Sequence, residues 1–408
     1  MRAREVLQKC LSGTLGNMHS LRSRVLTRAV DALIAGRCLT LYDLARSWPG
    51  ADRMRAPLKA LDRLLSNRHL HGERESLYAG MAQWLVRSKR PVIVIDWADL
   101  KGDRSWHVLR AGVPIGGRTL TLLDMVFPGH QQGSPQAEQL FLRRLAQLIP
   151  SHVTPILVTD SGFRAPWFRA VTKRVWHWVG RLRHRTHVKP VDVVDEPDQS
   201  VPCKALYALA GSRHLDLGVM HAVRYAPLVC RLIVHAKPAQ GRKRLTRQGS
   251  VAHNTNSLKH AQREKEPWLL MASPELTLTA AQIVALYARR MQIELSFRDL
   301  KSHRYGQAFQ DSLTRKGERI GVLLLLNALA TFACWIVGMA CEAKGMSAWL
   351  CPRAAKRRLY SIIRIGACKK FCVQAKTGIG FDSLIDLPWL RSSAHHRFVE
   401  PHHHLHRR

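Results

Sequence analysis

Tyr287-Ala-Arg-Arg-Met-Gln-Ile-Glu-Leu-Ser-Phe-Arg-Asp-Leu-Lys301 decides how the rest of the chain is read. With Tyr287 at zero and about 100° per residue, Arg290 falls near about −60°, Glu294 near −20° and Lys301 near −40°. Met291 and Arg298 join that face at about +40° and +20°. The spacing predicts one helix presenting an aromatic, three cations and a single carboxylate. Leu286, Ile293, Phe297 and Leu300 cluster beside that face and predict its anchored side. A lone Glu among Arg and Lys suits a metal-binding acid set in a phosphate-binding surface. A solvated helix with ordinary i,i+4 pairs has the same pattern.

Two upstream stretches bear on that choice. Pro91-Val-Ile-Val-Ile-Asp96-Trp97 is a short apolar run ending in an acid, and Thr154-Pro-Ile-Leu-Val-Thr-Asp160-Ser-Gly162 is a second. Runs of this length and β-branched content predict buried strands. Buried strands rarely tolerate an unpaired carboxylate, so each acid is expected at a strand's C-terminal end, open to a ligand. Hard divalent cations take oxygen ligands, and two-metal phosphoryl chemistry draws carboxylates from several elements. Asp96, Asp160 and Glu294 are the candidate triple, although a strand-end Asp also serves simply as a turn former.

The residues that carry a family resemblance are now in view. The chain resembles the DDE transposases of the insertion-sequence-four family, and the transposon-ten type more than the transposon-five type. Tyr287, Arg290, Glu294 and Lys301 keep every spacing of the family's Tyr-(2)-Arg-(3)-Glu-(6)-Lys signature. Asn67-Arg-His-Leu-His71, Val94-Ile-Asp-Trp97, Thr159-Asp-Ser-Gly-Phe163, Lys265-Glu-Pro-Trp268 and Phe297-Arg-Asp-Leu-Lys-Ser302 add to it. The likeness runs from about residue 25 to about residue 370.

Composition agrees. Against 29 Asp+Glu stand 64 Lys+Arg, a formal net charge of +35. Such an excess calls for a polyanionic partner. A ribosome-associated or membrane-surface protein would share it; the acid triple favours an enzyme acting on nucleic acid. The length of 408 residues allows two or three domains. The nine cysteines form no Cys-x-x-Cys pair, and Cys368 with Cys372 alone makes weak metal evidence, so they read as reduced thiols of a cytosolic protein. Met1-Arg-Ala-Arg-Glu5 leads into no long apolar region, which argues against a signal peptide. Ile320 to Ala340 carries no charge and is long enough to span a bilayer. Its Asn327 and the lack of a second such span favour a buried core helix, and no membrane partner is expected.

Residues 1–90 predict a small helical DNA-binding domain: Leu21 to Ala35 and Leu58 to Leu65 have helical spacing, and Cys38 to Trp48 resembles a capped helix stopped by Pro49-Gly50. Arg53, Arg55, Lys59, Arg63, Arg68 and Arg74 supply its basic face. Residues 91–182 predict three strands, a helix, a strand, a helix and a strand (Val92–Trp97, Trp106–Ala111, Thr119–Phe127, Ala137–Leu148, Pro155–Asp160, Phe163–Arg174, Val175–Leu182). The first three form a meander, and the fourth, reached through a helix, can lie parallel to the first, bringing Asp160 beside Asp96. Asp99 is expected past the strand and structural. This order is that of a ribonuclease-H-like α/β core, which the resemblance also implies. Residues 183–279 form a β-rich insertion with strands at Leu215–Val223 and Leu228–His235, a basic loop at Lys237–Arg247 and a polar stretch at Val251–His260. Residues 280–370 complete the core. The tail, 371–408, is basic and rich in His (His395, His396, His402 to His404) and receives no function.

The resemblance implies that Asp96, Asp160 and Glu294 are catalytic and hold two Mg²⁺ ions, about 3.5–4 Å apart, with Mn²⁺ able to replace them. It implies that Tyr287, Arg290 and Lys301 bind phosphates, with Arg298 on the same face, that Trp268 stacks on a flipped base and that Met291 displaces it. The activity implied is cut-and-paste transposition through hairpin ends. The partners are terminal inverted repeats and target DNA, met by a homodimer in the bacterial cytoplasm, at the nucleoid. A metal-dependent nuclease that cuts without joining, or an inactive DNA-binding relative, are the alternatives.

Overall fold

The strand that carries the first candidate acid forms because Ile93, Val94 and Ile95 are apolar and β-branched, and all three are fully buried. This strand, β1 (Val92–Asp99), pairs antiparallel with β2 (Trp106–Pro114), and β2 with β3 (Thr119–Pro128). The predicted meander is thus present, though β1 runs three residues past Asp96. Asp96 therefore lies inside the strand, not at its end, and Asp99 is its last residue rather than a loop residue. Pairing continues past Asp96 because Trp97, Ala98 and Asp99 meet Leu109, Val108 and His107 in register.

The computed structural model describes residues 3–183, 186–191, 200–237, 250–255, 257–258, 262, 265–304, 306–346 and 360–368. The predicted basic loop beyond Lys237, parts of 251–260, Cys372 and the tail 371–408 lie outside the described residues. Two compact units appear. One joins Met1–Val153 with Met291–Arg408; the other is Thr154–Arg290.

In the first unit, the N-terminal helices are α1 (Ala3–Cys10), α2 (Ser12–Gly16), α3 (Ser20–Gly36), α4 (Leu41–Arg46), α5 (Arg55–Leu65) and α6 (Arg68–Leu85). Thr40 and Asn67 cap α4 and α6 by accepting from Asp43 N and Leu70 N. The helices are not a separate body: α6 packs on β3, and α3 and α6 pack on α11 (Gly317–Ala343). Arg53, Arg55, Lys59, Arg63 and Arg68 are exposed as expected, but Arg74 is not part of that face. Its guanidinium fills the space beside Gly321, where an added Cβ would lie 1.6 Å from Nη1.

Helix α11 contains the long apolar run and is buried along nearly all of it. By length and composition alone it could cross a membrane. Here its faces are taken up by β3, α3 and α12 (Ile362–Gly366). Asn327, buried within it, donates from Nδ2 to Gln307 Oε1 at 2.6 Å, which satisfies its amide. Gly338 and Gly366 allow α11 and α12 to touch: a Cβ on Gly366 would lie 1.8 Å from the Cys334 carbonyl oxygen.

The second unit holds β4 (Ile156–Thr159), α8 (Ala165–Thr172) and β5 (His177–Leu182), β4 and β5 being parallel. In the first unit, α7 (Pro135–Leu148) starts at its Ser134 cap. The stretch expected as an insertion continues the sheet of β4 and β5. Neighbours follow as β5, β10 (Trp268–Ala272), β9 (Leu228–His235), β8 (Leu215–Ala222), β6 (His187–Pro190) and β7 (Val201–Pro202). Their pairings are antiparallel.

The expected single helix over Tyr287–Lys301 is broken. α9 (Ala280–Ala288) opens with a capping box, Thr279 and Gln282 bonding each other's backbone N–H. It closes with tight i→i−3 bonds from Arg289 and Arg290 to Leu286 and Tyr287. α10 (Met291–Lys301) then begins. The two halves serve different cores. Leu286 and Tyr287 are buried in the second unit, and Ile293, Phe297 and Leu300 in the first.

Candidate active site

In the first unit, the site is built on a row of three charges. The registers place Asp96 of β1 opposite Arg110 of β2, and Arg110 opposite Asp124 of β3, so all three lie on one sheet face. Arg110 grips Asp124 through two 2.7 Å bonds, Nε to Oδ1 and Nη2 to Oδ2, and both side chains are buried. α10 packs on this sheet. The Arg110 guanidinium sits 5.0 Å from the Phe297 ring centre, and the Lys301 ammonium 5.9 Å from the same ring. The helix is also pinned to the turn between β2 and β3. Gly117 N donates to Gln292 Oε1 at 3.0 Å, Thr119 N donates to Ser296 Oγ at 2.8 Å, and Arg118 pairs with Asp299. Gln292, Ser296 and Asp299 are spaced i, i+4, i+7 and form one polar stripe.

Glu294 lies in the first turn of α10, where the helix dipole favours a negative charge, and is partly exposed. Lys301, at the helix's other end, donates to the Asp99 carbonyl at 3.3 Å. Burial pushes its ammonium below the ordinary lysine value, while Asp99 and Asp96 pull it back up and Arg110 adds to the depression. Lys301 thus shares the field of Asp96. Asp99 itself is structural: its carboxylate lies 3.0 Å from His107 and 3.7 Å from Arg104. Arg298 is exposed and Met291 half-buried.

Asp160, Trp268, Tyr287 and Arg290 belong to the second unit. Asp160 directly follows β4, as expected, and its Oδ1 accepts from Gly162 N at 2.8 Å. The carboxylate therefore also forms the turn. Tyr287 is buried, which raises its phenol pKa; Arg290 and Arg181 counter the shift and Asp160 adds to it. The ring was expected on an open polar stripe. Instead its edge meets Trp268, centroids 5.0 Å apart at 76°, with Arg290 5.7 Å from its centre. Trp268 begins β10 and is half-buried, with Lys237 5.3 Å from its ring centre. Arg181 holds the Glu266-Pro267-Trp268 stretch by donating to the Glu266 and Pro267 carbonyls at 3.3 and 3.1 Å. Arg183 pairs with Glu266 at 3.6 Å.

Residues 87–332 match the model of the transposase DDE domain. The chain belongs to this family. The match covers most of the chain and contains all nine candidate residues, from Asp96 to Lys301. The protein is therefore a transposase of the DDE type, an enzyme that cleaves and transfers DNA strands, with DNA as its substrate. No curated protein matches the chain.

DDE transposases generally use divalent metal ions. Carboxylate oxygens are the right donors for a hard cation. Among the described residues, however, no three His, Cys, Asp or Glu side chains gather as a ligand group. Asp96 and Glu294 lie in the first unit and Asp160 in the second. The donor chemistry thus fits a hard divalent cation.

Arg110, Asp124, Gln292, Ser296, Asp299, Arg181 and Arg183 support the candidate residues and were not singled out from the sequence. For Arg110, Asp124 and Arg181 a signal existed: each is a charge inside an otherwise apolar strand, which demands a buried partner. The partners of Gln292, Ser296 and Asp299 depend on a turn far away in sequence.

Proposed function

We propose that this protein is a cut-and-paste DNA transposase of the insertion-sequence-four type. It binds the terminal inverted repeats of its element, excises it through hairpin ends and joins it to target DNA. The family match over 87–332, which contains the whole Tyr-Arg-Glu-Lys signature and both Asp segments, carries this reading. We read the fold as ribonuclease-H-like, with a β-rich insertion and N-terminal helices that bind DNA. The five exposed basic residues of α5 and its surroundings support that last role.

Asp96, Asp160 and Glu294 would hold Mg²⁺, or Mn²⁺ in its place, which would supply Lewis-acid activation and charge stabilisation for phosphoryl transfer. The chain's own residues position the DNA. Lys301 and Arg298 present cations from α10, and Arg290 presents one from the end of α9. Tyr287 backs Trp268, whose indole offers a stacking surface for an extruded base, and Met291 sits half-buried at the helix break with a flexible side chain. The enzyme would work as a homodimer at the nucleoid in the bacterial cytoplasm.

The test is cleavage of DNA carrying the inverted repeats that flank the gene, with Mg²⁺, by wild type, Asp96→Ala and Glu294→Ala. Hairpins and joined products from wild type alone, with binding kept by both variants, support the reading. Cleavage without joining would leave a nuclease, and binding without cleavage by wild type an inactive relative.

A further inference from the structure

We propose that His214 and His235 form a two-histidine binding site for a borderline transition-metal cation, with Cu²⁺ the best fit. His235 ends β9, and His214 immediately precedes β8. The register Leu215↔Val234 extends by one residue to set the two imidazoles opposite each other across the antiparallel pair.

The two rings bring their Nδ1 atoms close enough for one cation to bridge them. The Nδ1 atoms are 3.0 Å apart, the ring centroids 4.4 Å apart, and the planes meet at 64°. A head-on N–H···N bond would add about 1.1 Å of ring radius at each end and set the centroids about 5.2 Å apart. The shorter separation means that the two nitrogens sit side by side. A cation at the usual imidazole distance of about 2.0–2.1 Å from each would see them at roughly 91–97°. That is the cis angle of a tetragonal Cu²⁺ site, narrower than the tetrahedral angle of Zn²⁺, and the order of metal affinities points the same way.

With each ring's proton on Nε2, both Nδ1 atoms are open to the cation as neutral imidazole ligands. Asp216 is committed to Arg231, whose Nε donates to it at 2.9 Å, leaving the remaining positions to water. Imidazole nitrogens do not suit Mg²⁺, so this site is chemically separate from the carboxylates. His235 pairs in register with Trp268, ring centroids 6.1 Å apart, which places an indole reporter beside the metal.

The test uses the full-length chain with the tail histidines His395, His396, His402, His403, His404 and His406 replaced by alanine, which removes their background. Cu²⁺ is titrated against tryptophan emission, and the bound ion is examined by electron paramagnetic resonance. One equivalent of Cu²⁺ with a two-nitrogen imidazole pattern is expected, undisturbed by millimolar Mg²⁺ and preferred over Zn²⁺. Adding His214→Ala or His235→Ala should each weaken Cu²⁺ binding by about tenfold or more, because the chelate is lost, and leave a one-nitrogen signal. His214 is exposed, so its variant is expected to keep the parent's circular dichroism. Equal Cu²⁺ affinity in the parent and both variants, or no two-nitrogen signal in the parent, overturns the proposal.

Discussion

Asp124→Ala is the sharpest probe of how the sheet holds the α10 helix. Asp124 and Arg110 are 7% and 2% exposed and share two 2.7 Å bonds. Removing the carboxylate leaves the Arg110 guanidinium buried without its counter-charge, against the Phe297 ring. Breaking one side of a buried pair costs about 3–5 kcal/mol. For a unit of this size, this corresponds to a fall of about 10 °C in melting temperature. Replacing both partners by apolar groups of similar volume, as in Arg110→Met with Asp124→Leu, removes the stranded charge and should restore stability to within about 1 kcal/mol of wild type. Urea unfolding of wild type, the single variant and the double variant measures both effects. Cleavage by the double variant then reports whether α10 still presents Glu294. A single variant as stable as wild type, or a double variant no better than the single, would refute the account of this pair as a buried brace.

Lys301 is held below its ordinary value of 10.5 in the folded state. The unfolded chain therefore binds more protons between the depressed value and 10.5, and stability rises with pH through that window. Lys301→Met should match or exceed wild-type stability at neutral pH, with its advantage shrinking as the pH approaches 10.5, while DNA cleavage is lost; denaturation and cleavage on the same preparations decide it. Gly180→Ala places a Cβ 2.6 Å from Phe168 Cζ and 3.1 Å from Met271 Cε, so calorimetry should show a loss of about 1–3 kcal/mol in the second unit. Trp268→Ala should weaken capture of an extruded base by about 1–3 kcal/mol, and Trp268→Phe should recover part of it, as read by 2-aminopurine fluorescence in the DNA end. Equal losses in both variants would point to a packing role alone.

Much of this was legible along the chain because it rests on local spacing. The apolar runs before Asp96 and Asp160 predict strands, since β-branched residues suit the pleated, buried state, and β1 and β4 are there. The apolar run of α11 predicts a long helix at the right place. Leu286, Ile293, Phe297 and Leu300 were the correct anchors, because a helix buries what repeats every three or four residues. The signature helix was misread as continuous for a related reason. Periodicity measures only the angle between side chains, and a tight turn at Arg289–Arg290 scarcely disturbs it. That turn separates Tyr287, which packs against Trp268, from Ile293 and Phe297, which pack in the other unit.

Local spacing also did not reveal the partners of the buried charges. Asp96 looked like a strand end because a buried strand rarely tolerates an unpaired carboxylate. Its place inside β1 follows from strand pairing, which puts Arg110 opposite it and ties that arginine to Asp124 one strand further. Arg74 appeared to extend a basic face, and only the packing of α6 against Gly321 turns it inward. The sequence by itself determined most of the elements and the family. Tertiary structure alone decided which charges are braced, where the signature breaks and which rings converge, because those depend on contacts between residues far apart in the chain.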